Sequence, residues 1–147
     1  MRILPFFLLL STFIWANDMT EKGLNLFASG KPKEAYGVLE KSFLRTKDPQ
    51  ALYYMGHINF VDFKKYLEGM RQINSAAQLG YPEAMFQVAS TLYKSRKYNE
   101  ARNWLLKASK KGHPKSSYFL GYMYEMGIGV SKSASRARYW YKKAGLE

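Results

Sequence analysis

The sequence predicts an all-α chain, a right-handed α-solenoid of about four antiparallel helix pairs. Three observations carry this expectation. Pro49, Pro82 and Pro114 recur at spacings of 33 and 32 residues. Seven positions after each stands a small residue: Gly56, Ala89 and Gly121. The segment ARNWLLKA (101–108) reappears as ARYWYKKA (137–144), with five of eight residues identical. One helix pair cannot bury its apolar face alone, so self-similarity at such a period marks stacked pairs.

The first sixteen residues stand apart from this pattern. Met1 and Arg2 give a positive start, Ile3 to Trp15 is almost wholly apolar, and Ala16 precedes the polar NDMTEKG. A charged start, an apolar core of ~7–15 residues and a small residue at the cut form the layout of a secretory signal peptide. The run is shorter than the ~20 residues that span a bilayer. Residues 1–16 are therefore expected to be a signal peptide cleaved after Ala16, with an uncleaved anchor as the alternative. No integral membrane anchor is expected to remain after cleavage. The chain has no cysteine, which excludes a disulfide staple, a thiolate metal site and a lipid-bearing cysteine. Export without cysteine suits a bacterial periplasm better than the disulfide-rich extracellular space, so the expected location is periplasmic or secreted.

Residues 17–147 read as one repeat domain with units at about 17–48, 49–81, 82–113 and 114–147. In each unit the first helix starts near the proline, which is well tolerated in a first turn. The small residue (Gly23 in the first unit, by the same register) lets a partner helix approach closely. The second helix carries Ala35, Gly69, Ala101 or Ala137. An apolar residue follows four later (Leu39, Ile73, Leu105, Tyr141), and a small one three after that (Ser42, Ala76, Ala108, Ala144). This spacing puts one stripe on one helix face. Gly80 and Gly112 suit a left-handed C-terminal cap.

The last unit carries an added loop, Met126-Gly-Ile-Gly-Val130. It lacks the lysine–serine pair and the preceding strand of a phosphate loop. The segment from Leu120 to Gly145 strongly resembles the Sel-one-like repeat. Leu120, Gly121, Tyr124, Gly127, Gly129, Val130, Ala137, Trp140, Tyr141, Lys143 and Ala144 match that family's pattern. Where the family has an aspartate after Gly-Val, this chain has Ser131–Ser135. Units one to three resemble tetratricopeptide repeats and lack the glycine loop. The resemblance implies an α-solenoid that binds other proteins, an adaptor or scaffold rather than an enzyme.

The residues offer little chemistry. His57 and His113 are the only histidines; His113 falls in an inter-repeat turn, and His57 beside Gly56. Glu34, Glu68 and Glu100 share one register, which points to capping or ion pairing. No catalytic, metal or cofactor residues are expected. A hydrolase would have only His57 and Glu125 to work with.

The surface is more informative. Counted from the small residue of each first helix, aromatics recur three before (Tyr53, Phe86, Tyr118) and four after (Phe27, Phe60, Tyr93). One after stand His57, Ser90 and Tyr122. First helices line the concave side of such solenoids. Tyr53, His57, Phe60, Phe86, Tyr93, Tyr118 and Tyr122 are thus the expected partner-binding residues, with packing between repeats as the alternative; Leu92 and Tyr124 are expected in the core. The chain's net charge is +12, and it concentrates late. Unit three has seven Lys and Arg against two Glu (+5), and unit four has six against two (+4). Arg102 and Arg138 share a register, as do Lys107 and Lys143. These four are expected to form a basic outer stripe, which is either a solvated face or a dock for an acidic partner. Export makes nucleic acid an improbable ligand.

The expected function is a protein–protein interaction adaptor or scaffold in the bacterial cell envelope. The alternative is a periplasmic immunity or inhibitor protein that neutralises a toxin or enzyme. A homodimer or obligate partner is expected at the C-terminal helix pair, on its Trp140–Tyr141 side.

Overall fold

The computed structural model of the chain describes residues 18–146. The expected signal peptide at 1–16 lies outside the described residues. Among these, all regular structure is helical. The helices are α1 (18–28), α2 (Pro32–Thr46), α3 (Pro49–Val61), α4 (Tyr66–Gln78), α5 (Pro82–Lys94), α6 (Tyr98–Lys110), α7 (Pro114–Met126) and α8 (Ala134–Lys143). They form antiparallel pairs α1–α2, α3–α4, α5–α6 and α7–α8.

The recurring prolines are the first residues of α3, α5 and α7. There the absent N–H is no loss, because the first four amides of a helix have no partner within it. The cap before α3 is Asp48, whose Oδ1 accepts from the Gln50 amide at 2.9 Å. Gly80 and Gly112 adopt φ of 99° and 81°, the left-handed turn expected of them after α4 and α6.

The chain divides into two compact units, and the division falls inside α4 after Ser75. In the first unit α1 lies against α2. A Cβ on Gly23 would sit 2.6 Å from Leu39 Cδ2, so only glycine permits this approach. The Thr20 hydroxyl donates to Asp48 Oδ2 at 2.7 Å and accepts from Ser42 at 2.7 Å, which ties α1 to the far end of α2. Ala35, Leu39, Ala51, Met55 and Ile58 form the core. Between α3 and α4 the backbones themselves meet. A Cβ on Gly69 would lie 2.6 Å from the Gly56 carbonyl oxygen and 2.8 Å from the Phe60 nitrogen.

In the second unit Ala89 of α5, Leu105 of α6 and Leu120 and Met123 of α7 build a fully buried core. Burial of each leucine contributes about 1.5–3 kcal/mol. The Ser109 and Ser117 hydroxyls share a buried hydrogen bond of 2.7 Å between α6 and α7. In the last pair a Cβ on Gly121 would sit 2.6 Å from Tyr141 Cδ1. The glycine loop then turns through Gly127 and Gly129, at φ of 71° and 66°. Gly129 lies over Tyr98, so a side chain there would meet the Tyr98 Cβ. Ser133 caps α8, its Oγ accepting from the Arg136 amide at 3.3 Å. The serine run thus supplies the cap that the aspartate of the resembling pattern would give.

Two glycines test these close approaches. Gly37, inside α2, has nothing within 4 Å of its Cβ position. Gly37→Ala is expected to stabilise by about 0.5–1 kcal/mol, through helix propensity and a stiffer unfolded chain. Gly69→Ala gains the same propensity, yet must push backbone atoms apart. It is expected to destabilise by about 1–3 kcal/mol. Denaturant unfolding of both variants beside the parent checks the opposite signs.

Candidate protein-interaction faces

Each unit gathers its aromatic residues in its own way. In the first unit α3 is buried nearly all round, with Ala51, Leu52, Tyr53, Met55, Gly56, Ile58 and Asn59 all inside. Tyr53 is therefore only 8% exposed, and this corrects the expectation of an open face there. Around Tyr53 the helix is buried on almost every side, whereas at its end Phe60 and Val61 are exposed. The Tyr53 ring packs edge-on to Tyr54 at 5.1 Å and beside His57 at 6.4 Å. Phe27 of α1 meets both Tyr54 and His57 at 5.7 Å. His57 is half-buried, and its Nδ1 has no hydrogen-bond partner. No acid–base partner thus engages Nδ1, and the hydrolase reading gains nothing there. Phe60 is apart from this cluster, 36% exposed and edge-on to Tyr66 at 5.1 Å.

The second unit brings Phe86, Tyr93 and Tyr122 together around Phe119. Phe119 stands 6.3 Å from Phe86, 4.9 Å from Tyr93 and 6.0 Å from Tyr122, whose ring stacks on it. Tyr98 closes on Tyr93 at 5.3 Å. The Tyr93 hydroxyl is pushed above the ordinary tyrosine range, first by burial and then by the neighbouring Tyr122 and Tyr98. Edge-to-face pairs of this kind add about 0.5–1.5 kcal/mol each beyond area burial. Phe119 escaped the sequence reading because the same position in the preceding unit is Gln87, which breaks the ladder. Tyr118 is outside the cluster, 48% exposed, with its ring 5.4 Å from Tyr141.

His113 caps α7: its Nδ1 accepts from the Ser116 amide at 3.3 Å. Its Nε2–H then donates to Glu83 Oε2 at 2.8 Å, and Lys115 adds an ion pair to Glu83 at 3.7 Å. The histidine is a structural turn residue, and Glu83 is the partner the sequence did not announce. Glu68 and Glu100 pair with Lys65 and Lys97 at 4.0 and 3.6 Å. Both are exposed first-turn pairs, worth at most about 1 kcal/mol.

The four basic residues divide. Lys107 sits over Trp104 at 4.6 Å and Lys143 over Trp140 at 5.2 Å. The two pairs repeat one i, i+3 geometry, with a cation over an indole face. Arg102 is half-buried, and its guanidinium donates to the Gly129 carbonyl at 3.2 Å. It pins the glycine loop instead of standing in solvent. Arg138, in the same register one repeat later, is exposed. Among the described residues no group of acidic or histidine side chains could hold a metal ion. No described helix is long and apolar enough to cross a membrane.

Helix pairs with small residues at the crossing, half-open aromatic clusters and basic outer positions define a helical repeat protein. Within that class, the family profile described as the Sel1 repeat matches residues 82–113 and 114–146. The pairs α5–α6 and α7–α8 are Sel1 repeats. The chitin synthase regulator SKT5 of Saccharomyces cerevisiae is 46% identical over 46 residues, 31% of this chain and 7% of that protein. Chitin synthase regulatory factor 3 of Schizosaccharomyces pombe is 44% identical over 48 residues, 33% of this chain and 5% of that one. The chain thus spans a small part of either relative. Among solved structures, a Sel1 repeat protein from Oxalobacter formigenes superposes with a TM-score of 0.76 at 22% identity, over 88% of this chain and 57% of that one. MamA superposes with a TM-score of 0.54 at 22% identity, over 88% and 75%. At such identities the likeness is one of fold.

The last pair carries a titration signature. The Tyr141 hydroxyl donates to Glu125 Oε2 at 2.6 Å. Partial burial, then this bond and the Glu125 charge, push its pKa up to about 12. The folded state therefore holds this proton more tightly than the unfolded chain, where tyrosine titrates near 10. The bond's contribution is full below pH ~10 and is lost as pH rises towards about 12. Chemical unfolding across that window is expected to show a fall in stability that Tyr141→Phe removes.

Proposed function

We propose that the chain is a non-enzymatic scaffold that binds another protein in the bacterial cell envelope. The observation that carries this reading is the Phe119 cluster. It places Phe86, Tyr93 and Tyr122 of two Sel1 repeats on one half-open face. Rings with polar tips, held in place by their neighbours, bind protein surfaces at low cost in side-chain entropy. Such a face has no use for a reactive group. The signal-peptide pattern of residues 1–16 supports a periplasmic or secreted location. Two of the relatives are named as regulators of an enzyme, which agrees with action through a partner.

A second reading has its own support. The charges of +5 and +4 in units three and four would suit a one-to-one inhibitor or immunity protein that neutralises an acidic toxin or enzyme. The two readings separate by what is lost without the chain: assembly of a multi-component envelope machine, or protection from one enzyme.

Both are tested by immobilising the chain and passing envelope extract over it at low and then high salt. The expected result is a single stoichiometric partner, identified by mass spectrometry and lost when Tyr93→Ala and Tyr122→Ala are combined in a chain with an unchanged thermal melt. Elution of many acidic proteins together, or retention of none, would sink the proposal.

A further inference from the structure

The turn between α3 and α4 carries five large apolar side chains in the open: Phe60, Val61, Tyr66, Leu67 and Met70. Leu67, at 73%, is the most exposed large apolar side chain among the described residues. Its register in the other helix pairs is held by Lys33, Asn99 and Ser135. Three polar residues fill that position elsewhere, so the fold does not call for leucine there. Phe60 and Tyr66 hold each other edge-on at 5.1 Å across the turn. The amides of Asp62 and Phe63 donate back to the Ile58 carbonyl at 2.9 and 3.1 Å, and that of Lys65 to the Asn59 carbonyl at 2.8 Å. These donors stay satisfied whatever medium surrounds the turn. Lys64 and Lys65 stand within it, and Arg71 follows Leu67 by four residues on the same stripe; all three are exposed. The Tyr36 ring lies 5.8 Å from Phe63, which brings the start of α2, with Lys31 and Lys33, to the same end of the unit. Among the described residues of the first unit, this end holds those five cations against Glu34, Asp62 and Glu68. Glu68 is already paired with Lys65.

We propose that this turn is a peripheral membrane contact, which sets its apolar side chains among the headgroups of an anionic bilayer. Large apolar side chains with lysines at their rim suit a bilayer interface. The hydrocarbon enters to about 5–10 Å, and the ammonium groups stay with the phosphates. Tyr66 adds a ring with a polar tip, which favours that depth. The size of the patch fits the same occupant. Five side chains are few beside the roughly 20–30 residues that each side of a stable protein interface supplies, which makes a second copy of this chain the poorer occupant. A bilayer needs no complementary shape. The excess of cations at this end, with +12 over the whole chain, draws it towards anionic lipid. The inference does not rest on the scaffold reading. Vesicle binding without a captured protein, or the reverse, tells the two apart.

The chain has no cysteine, so one introduced thiol can be labelled alone. Leu67→Cys and Leu44→Cys, both at exposed positions of the first unit, each carry a polarity-sensitive fluorophore in the full chain. Leu44 lies near the end of α2 away from the turn. The vesicles are equal parts phosphatidylcholine and phosphatidylglycerol. On them the label at 67 is expected to brighten and to be quenched by nitroxide on the acyl chains; the label at 44 is expected to do neither. Leu67→Asn, which copies the residue of the third helix pair, is combined with Met70→Gln. This variant is expected to bind the vesicles about tenfold more weakly with an unchanged thermal melt. Vesicles of phosphatidylcholine alone are expected to bind the parent chain about tenfold more weakly. The proposal is overturned if the label at 67 stays dark, if both labels respond alike, or if both kinds of vesicle bind equally. It is also overturned if the double variant binds as the parent does, which would assign the binding to the apolar run at 3–15 or to charge alone. A dimer seen by light scattering without vesicles, and dissolved by the same substitutions, would overturn it in favour of a second copy. A protein captured through Leu67 by a chain that ignores vesicles would overturn it in favour of a protein partner.

Discussion

Every helix pair in this chain is closed by one contact: a small residue on the first helix beneath an apolar residue on the second. The pairs are Gly23 with Leu39, Gly56 with Ile73, Ala89 with Leu105, and Gly121 with Tyr141. At the three glycine crossings an added methyl group would meet Leu39, the Gly69 carbonyl and Ile73, or the Tyr141 ring, and dense interiors absorb such a group poorly. The contact therefore fixes the distance between helices and their rotation about their own axes. Once that rotation is fixed, the residues one, three and four positions away have fixed directions too. The aromatic clusters and the basic positions are consequences of the crossing, not independent features. The last pair varies the theme, because Tyr141 covers Gly121 with its ring and still reaches Glu125 with its hydroxyl.

Much of this was legible in the sequence because it is local and repeated. A proline that starts a helix, a glycine that ends one and a small residue at a crossing are set by neighbours within a few turns, and repetition multiplies the signal. Exposure is less legible. Tyr53 holds the same register as Phe86 and Tyr118, yet the three rings are buried, half-buried and open. The difference lies in what surrounds each helix: α3 has almost no polar side, while α7 has one. Arg102 and Arg138 make the same point. Identical positions in aligned segments have different fates, because the glycine loop reaches the first and no described residue takes its place over the second. Phe119 was hidden for the opposite reason, since Gln87 interrupts the register between Tyr54 and Phe119.

The interaction chemistry follows from the same architecture. Rings locked by other rings lose little freedom when a partner arrives, so their apolar area is available for binding. His57 shows the limit of reading function from residue type. It is a histidine with an unpartnered Nδ1, packed among the rings of Phe27 and Tyr53. Likewise Trp104 and Trp140 each support a lysine through the ring face, which directs charge outward from the second helices without a carboxylate.

The cap of α8 is a hydroxyl. Ser133 receives the Arg136 amide where the resembling pattern would place a carboxylate. A carboxylate cap weakens as acid protonates it near pH 4, whereas a serine oxygen has no proton to gain there. The start of α8, and with it the glycine loop that precedes it, is thereby insulated from acidification. That single substitution exchanges a little electrostatic strength for constancy across the acid range.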